Sequence, residues 1–410
     1  MSNLQIEFIN SVNDVYFPGQ IVDGRIVLDN RDSIKSRFLK VCIHGSAETH
    51  WSESERRCRA NSEGKSENFT EHVHYSSKIM YLEAGTVVWN STDASNRLPQ
   101  GQVIFPFRFQ LPIDLPPSFE GFHGHIRYSV YVELDRVWNW NKKSRKCFSV
   151  VPMFDLNMIP QAINPMVNTV SKNMGMIFKK GIISMTVNIP KRGFVAGENI
   201  PIQVNIENMT KLQIIQVRAK LVQLSSYEAS RHAYHGQHSS RKSEDKMVAE
   251  NRNQLNIPAH SKHALILPMR VPAVVPSFGN CPIISVEYFL SVKIDVNKLM
   301  GNTLKCEFPM IIGTIPLRQA MAPVQTIPIN GAIPLAQNAQ IPPSSSTQPQ
   351  PPSAPPITPT HEAPPSFFTE NPPSYEESMN NTVKGDFEPF APRYPVYNNL
   401  PSAPPLPEKM

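Results

Sequence analysis

Cysteine is scarce in this sequence. Its 410 residues hold five, Cys42, Cys58, Cys147, Cys281 and Cys306, an odd number, widely scattered and without a C-x-x-C pair. That spacing argues against a disulfide framework or a zinc knuckle and points to reduced thiols, mostly in packing positions. No uncharged apolar run approaches the length of a membrane span, and Met1 to Gln20 carries no basic, apolar, small-residue leader. A soluble cytoplasmic chain is therefore expected. No phosphate loop, nucleophile elbow or H-E-x-x-H sequence is present, which makes catalysis the weakest of the function classes. His72 and His74, like His123 and His125, form i, i+2 pairs that a strand would point to one face, but no spaced cysteine or carboxylate completes a metal-ligand set. Glu120 and Glu133 read as turn and solvent-face residues rather than an acid pair. No metal, no cofactor and no enzymatic activity are expected.

Alternation with a period of two is what the sequence does have. Val103, Phe105, Phe107, Phe109 and Leu111 share one face while Arg108 and Gln110 take the other, the pattern of a half-buried strand. It recurs at Ile126, Tyr128, Val130, Val132 and Leu134, and again at Ile200, Ile202, Val204 and Ile206. Helical spacing is hardly visible. Short strands separated by turn residues such as Pro18-Gly19, Gly121, Gly124 and Asn208 predict antiparallel β-sandwiches.

The strands are also duplicated. Phe17-Pro18-Gly19-Gln20 leads into Ile26 to Asn30 as Val195-Ala196-Gly197-Glu198 leads into Val204 to Asn208. Later, Pro117-Ser118-Phe119 precedes the strand Tyr128 to Asp135, as Pro276-Ser277-Phe278 precedes Tyr288 to Asp295. Two copies of one sandwich is the economical reading.

Proline marks where the sandwiches stop. Of 40 prolines, 23 fall between Pro316 and Met410, a stretch with few regularly spaced apolar positions and a net charge of −3 against +9 for the rest. Such a segment cannot bury a core and is expected to be disordered. The basic body could meet nucleic acid, anionic lipid or phosphorylated protein, and charge alone does not choose.

These residues resemble the arrestin superfamily, specifically the α-arrestins. The most specific stretch is Leu115 to Trp138, LPPSFEGFHGHIRYSVYVELDRVW, with its counterpart Val274 to Asp295, VVPSFGNCPIISVEYFLSVKID. The resemblance departs at Ala196, where a proline is commoner, and at the His-rich insert from Arg231 to Lys246. It implies an all-β chain of two tandem arrestin-like, immunoglobulin-like antiparallel β-sandwich domains followed by a disordered proline-rich tail. The boundaries are 1–155 for the first domain, 156–175 for a linker, 176–315 for the second domain and 316–410 for the tail. It also implies an adaptor that binds a membrane receptor or transporter as cargo and presents a ligase-recruiting tail.

The tail carries the matching docking sequences. Pro372-Pro373-Ser374-Tyr375 has the P-P-x-Y form recognised by WW domains. Consecutive prolines hold a polyproline II conformation, so little backbone entropy is lost on docking to paired aromatic rings, and Tyr375 fills a second pocket. In the family, that arrangement implies binding to HECT-type ubiquitin ligases. Pro364-Pro365-Ser366-Phe367 is a degenerate copy that keeps the ring of Phe367 without the hydroxyl, and Tyr394-Pro395-Val396-Tyr397 is weaker still. Pro-Ser-Ala-Pro occurs at Pro352, Ser353, Ala354 and Pro355 and again at Pro401, Ser402, Ala403 and Pro404, and is similar to the ligand of the UEV subunit of ESCRT-I. A flexible tail of this length reaches roughly 50–60 Å.

Arg136 to Lys146 interleaves Trp138 and Trp140 with basic residues. Lys142, Lys143, Arg145 and Lys146 read either as a basic hairpin tip with its tryptophans packed on the sheet or as a contact for a membrane surface or phosphorylated cargo, and no nucleic-acid partner is expected. The leading function is thus an adaptor for ubiquitin-dependent endocytosis, cytoplasmic and recruited to plasma membrane and endosomes. The alternative is a non-catalytic retromer-like endosomal scaffold whose tail is only a linker.

Overall fold

The computed structural model describes residues 3–60, 66–91, 97–137, 140–174, 181–233, 236–296, 303–318 and 390–398. Strands dominate these residues, and two short 3-10 turns, Leu156–Met158 and Pro160–Ile163, are the helical elements among them.

The first sandwich faces a three-stranded sheet, Asn3–Phe8, Ile21–Asn30 and Gly101–Gln110, against a larger sheet that runs Ser66–Asn90, Ile34–Ala60, Gly124–Arg136, Lys142–Val150 and Val15–Tyr16. The predicted alternation places the core. Phe105, Phe107 and Phe109 are buried with Arg108 and Gln110 outside, and Ile126, Tyr128, Val130, Val132 and Leu134 are fully inaccessible. The second sandwich repeats the plan, with Met166–Asn173, Ile182–Ile189, Asn199–Asn208 and Ser261–Arg270 in one sheet. Gly236–Ile257, Ile214–Ala233, Ile284–Val296, Thr303–Gly313 and Gly193–Val195 build the other.

The duplication extends to side-chain chemistry. Ser118 N–H donates to the Val150 carbonyl (2.8 Å) while Ser118 Oγ accepts from Val150 N–H (2.9 Å), and Ser277 does the same with Ile312 at 2.8 and 3.0 Å. Tyr128 donates its hydroxyl to the Pro116 carbonyl (2.8 Å), as Tyr288 does to that of Val275 (2.6 Å). At the opening turns Gly19 and Gly197 take φ of +81° and +91°, a left-handed conformation that suits glycine. The following Gln20 and Glu198 each accept a backbone N–H three residues back, from Phe17 (2.9 Å) and Val195 (3.2 Å). Each Pro-Ser-Phe turn is therefore pinned to the last strand of its own sandwich, which is why the repeat is visible in sequence.

Three expectations change. The stretch 156–175 is not a plain linker: Met166–Asn173 pairs along its whole length with Ile182–Ile189 and belongs to the second sandwich. On its exposed face the cross-strand contacts are hydroxyl pairs, Thr169 with Thr186 (2.9 Å) and Ser171 with Ser184 (2.8 Å), which help to stabilise an edge strand, while Met166 and Val170 on the other face pack on the core. Glu120 lies in the strand Phe119–Glu120 and is buried rather than facing solvent from a turn. Finally, Phe390–Asn398 departs from the expectation for the tail, because these nine residues lie on the body with hydrogen bonds to both sandwiches.

Candidate functional site

The sandwiches join through their longest hairpins. Ile34–Ala60 with Ser66–Asn90, and Ile214–Ala233 with Gly236–Ile257, are far longer than a five- or six-residue strand, and Ser230 pairs with Ser76 to connect the two large sheets. Around that junction Thr49 Oγ1 donates to the Glu228 carbonyl (2.8 Å), Arg231 meets Glu55 (3.3 Å) and Lys242 meets Glu53 (2.7 Å). Tyr227, fully buried, sets its ring against Phe119 and His123. Arg231, Ser240 and Lys242 of the His-rich insert thus contribute to the second domain's side of the joint. The opposite charges of Glu53 and Glu55 were visible in the sequence, but more than 170 residues separate them from Lys242 and Arg231, and no local pattern links them.

Beside the joint is a cavity of about 550 Å³ whose lining includes Glu48, His50, Lys78, Phe122, His125 and Arg127. Arg127 forms a bidentate pair with Glu120, Nε to Oε1 at 2.6 Å and Nη2 to Oε2 at 2.8 Å. Burial pushes the Glu120 carboxyl up against the pull of Arg127. His125 lies 3.9 Å from Glu48, yet burial, helped by the Arg127 and Lys78 charges, lowers its pKa to about 4. His50 stacks on His74, and His72 is within 3.2 Å of Ser54 Oγ. Among the described residues no group of three His, Cys, Asp or Glu is placed to hold a metal ion.

A histidine whose folded pKa lies below its unfolded value of ~6.5 stays neutral in the fold while the unfolded chain takes up a proton. Stability is therefore lost as pH falls from ~6.5 towards 4. The pKa of about 4 for His125 corresponds to roughly 2 kcal/mol after allowance for partial exposure. Urea denaturation at pH 7.5 and pH 5 should show a smaller acid loss for His125→Gln than for the parent chain. His44 and His123, also lowered by burial, leave a residual slope of the same sign.

The basic strand Lys142–Val150 does not present its four cations together. Alternation turns Lys143 and Arg145 to the outer face, each 5.8 Å from the centre of the Tyr131 ring. Lys142 and Lys146 take the other face. There Lys146 sits 4.6 Å from the Phe8 ring and 3.2 Å from Asp14, and burial and the Arg136 charge lower the pKa of Lys142. Trp140, which one of the two readings of this hairpin would pack on the sheet, is 91% exposed. The cations on the outer face of this strand are therefore Lys143, which also lies 3.5 Å from Glu133, and Arg145. The tail motifs lie outside the described residues: Pro352 to Pro355, Pro364 to Phe367, Pro372 to Tyr375 and Pro401 to Pro404.

Comparison with known proteins matches this architecture. The family profile for "Arrestin (or S-antigen), N-terminal domain" matches residues 4–157, and that for "Arrestin (or S-antigen), C-terminal domain" matches residues 179–317. The chain is 30% identical over 321 residues to "Arrestin domain-containing protein 4" of Mus musculus, covering 77% of this chain and 72% of that protein. It is 28% identical over 311 residues to "Arrestin domain-containing protein 17" of Caenorhabditis elegans, covering 75% of this chain and 69% of that protein.

Proposed function

Because this chain belongs to the arrestin-domain family of adaptors, we propose that it links membrane cargo to a HECT-type ubiquitin ligase and to ESCRT-I, and that it acts without catalysis of its own. The observation that carries this reading is the co-occurrence of two arrestin sandwiches with Pro372-Pro373-Ser374-Tyr375 and two Pro-Ser-Ala-Pro copies on one chain. Fold alone would not support it, since a sandwich hosts many functions. The prolines supply a preformed polyproline II ligand and Tyr375 the specificity contact.

In this scheme the sandwiches hold a receptor or transporter at plasma membrane or endosome, with Trp140, Lys143 and Arg145 against the anionic leaflet. A ligase bound at Tyr375 then acts on cargo lysines by effective concentration rather than through a fixed interface. Pro352 to Pro355 and Pro401 to Pro404 hand the ubiquitinated cargo to the UEV domain.

Affinity capture from cells, read by mass spectrometry, tests it. Tyr375→Ala should lower recovery of WW-domain ligases by about 10-fold or more, leaving at most the contribution of Pro364 to Phe367. Alanine at Pro401 and Pro404 together with Pro352 and Pro355 should remove ESCRT-I and spare the ligase. An unchanged partner list in both variants would reduce the tail to a linker and favour the retromer-like scaffold.

A further inference from the structure

Phe390–Asn398, sequence FAPRYPVYN, crosses the seam between the two sandwiches. At the first domain, Arg393 N–H donates to Ser149 Oγ (2.9 Å), its Nη1 donates to the Asn13 carbonyl (2.8 Å), and the Tyr394 hydroxyl donates to the Ser118 carbonyl (2.9 Å). Pro392 is buried and the Tyr394 ring packs on the main core, where burial pushes its hydroxyl pKa well up. Three residues on, the chain has reached the second domain. Tyr397 N–H donates to the Ala196 carbonyl (3.0 Å) and its hydroxyl to that of Thr314 (2.8 Å), with the ring against the small cluster of Leu156, Ala162 and Val195.

The receiving surface is built for a close backbone approach. A Cβ at Gly197 would stand 2.0 Å from the Tyr397 carbonyl oxygen, and Gly197 is left-handed at φ +91°, so a side chain there is excluded twice over. In each repeat the acceptors lie close to its short parallel strand pair. Ser118 lies in the Pro-Ser-Phe turn beside the parallel pairing of Val15–Tyr16 with Ser149–Val150. Ala196 and Thr314 each follow a strand of the parallel pair Gly193–Val195 and Ile311–Gly313. Pro392 and Pro395 restrict the backbone on either side of Arg393 and Tyr394, and the two tyrosines, three residues apart, reach an acceptor in each domain.

We propose that the interdomain seam is a peptide-binding site for a Pro-Arg-Tyr-Pro-x-Tyr segment, occupied in cis by Phe390–Asn398, and that this docking anchors the C-terminal end of the chain to the body. The anchor changes the geometry of everything attached to it. Measured from Leu317 alone, Tyr375 is 58 residues along the chain, a contour limit of roughly 200 Å. Measured from Phe390 it is 15 residues, a limit of about 54 Å, and Pro401 is within about 10 Å of Asn398. Docking therefore confines the P-P-x-Y and the second Pro-Ser-Ala-Pro sequences near the seam, and release extends their range. Only that consequence rests on the adaptor reading; the seam as a peptide site does not.

The test uses the full chain with a specific protease sequence inserted between Asn380 and Asn381. After cleavage at micromolar concentration, the fragment bearing Phe390–Asn398 should remain with the body in gel filtration, and a synthetic peptide of residues 388–399 should displace it. Tyr394→Ala/Tyr397→Ala, which alters the tail and leaves both sandwiches untouched, should weaken retention by about 100-fold. The uncut parent chain should not take up the peptide, because its site is filled, whereas the uncut double variant should. Loss of the parental fragment on cleavage, or equal retention of parent and double variant, would overturn the proposal. Either result leaves ligase capture through Tyr375 to be judged separately.

Discussion

Arg127→Met is expected to destabilise the chain by about 3–5 kcal/mol at neutral pH, the cost of leaving a buried carboxylate without its partner. The Glu120 side chain is 1% exposed and Arg127 only 21%, so the carboxylate loses both hydrogen bonds while keeping little contact with solvent. Methionine keeps the length and apolar stem of arginine, which separates the charge effect from a cavity. The pH dependence identifies the cause. Burial already raises the Glu120 pKa against the opposing pull of Arg127, and removing Arg127 raises it further. A carboxyl whose folded pKa exceeds its unfolded value loses stability as pH rises through the folded pKa. The deficit of Arg127→Met in urea denaturation should therefore be smaller at pH 5 than at pH 7.5, because proton uptake by Glu120 relieves the unpaired charge. Glu120→Gln/Arg127→Met should recover much of the loss at pH 7.5 and remove its pH dependence. A deficit equal at both pH values would mean that packing, not charge, holds Arg127 in place.

The sequence was legible wherever burial follows alternation. Phe105, Phe107 and Phe109 could be assigned to the core because each polar neighbour points the other way, and Ser118 and Ser277 stood out because one local hydrogen-bond device is used twice. Legibility failed where stabilisation comes from polar pairs or from distance along the chain. Glu120 reads as a turn residue because no periodicity announces that Arg127, seven positions on, folds back to neutralise it. Met166–Asn173 reads as linker because Thr169 and Ser171 work through hydroxyl partners that hydropathy ignores. Tyr394 and Tyr397 read as a weak WW ligand because their acceptors, Ser118 and Thr314, lie far away in sequence. The basic strand is an intermediate case. Its composition is plain, but the pleat divides Lys143 and Arg145 from Lys142 and Lys146, so a count of charges overstates the patch.

Gly45→Ala should cost about 3 kcal/mol, with thermal or urea unfolding as the measurement, although alanine ordinarily improves on glycine within a strand. The strand Ile34–Ala60 runs across the first sandwich, and Gly45 pairs with Leu82 on one side and Tyr128 on the other, next to a register shift. A Cβ there would meet Tyr128 Cδ1 at 2.4 Å and Cε1 at 2.7 Å. The ring has nowhere to go: Tyr128 is fully buried, packs near Phe148 and is fixed at its far end by the hydroxyl bond to Pro116. Moving it would break that bond and leave a carbonyl unsatisfied at the base of the Pro-Ser-Phe turn. The two sites are thus coupled rather than additive. Tyr128→Leu alone should also destabilise, through lost volume and the lost hydrogen bond. Combined with Gly45→Ala it should lose less than the sum of the single changes, because the smaller side chain vacates the volume that the new methyl enters. Strict additivity would place the glycine requirement in the backbone at the neighbouring register shift instead of in the ring that covers it.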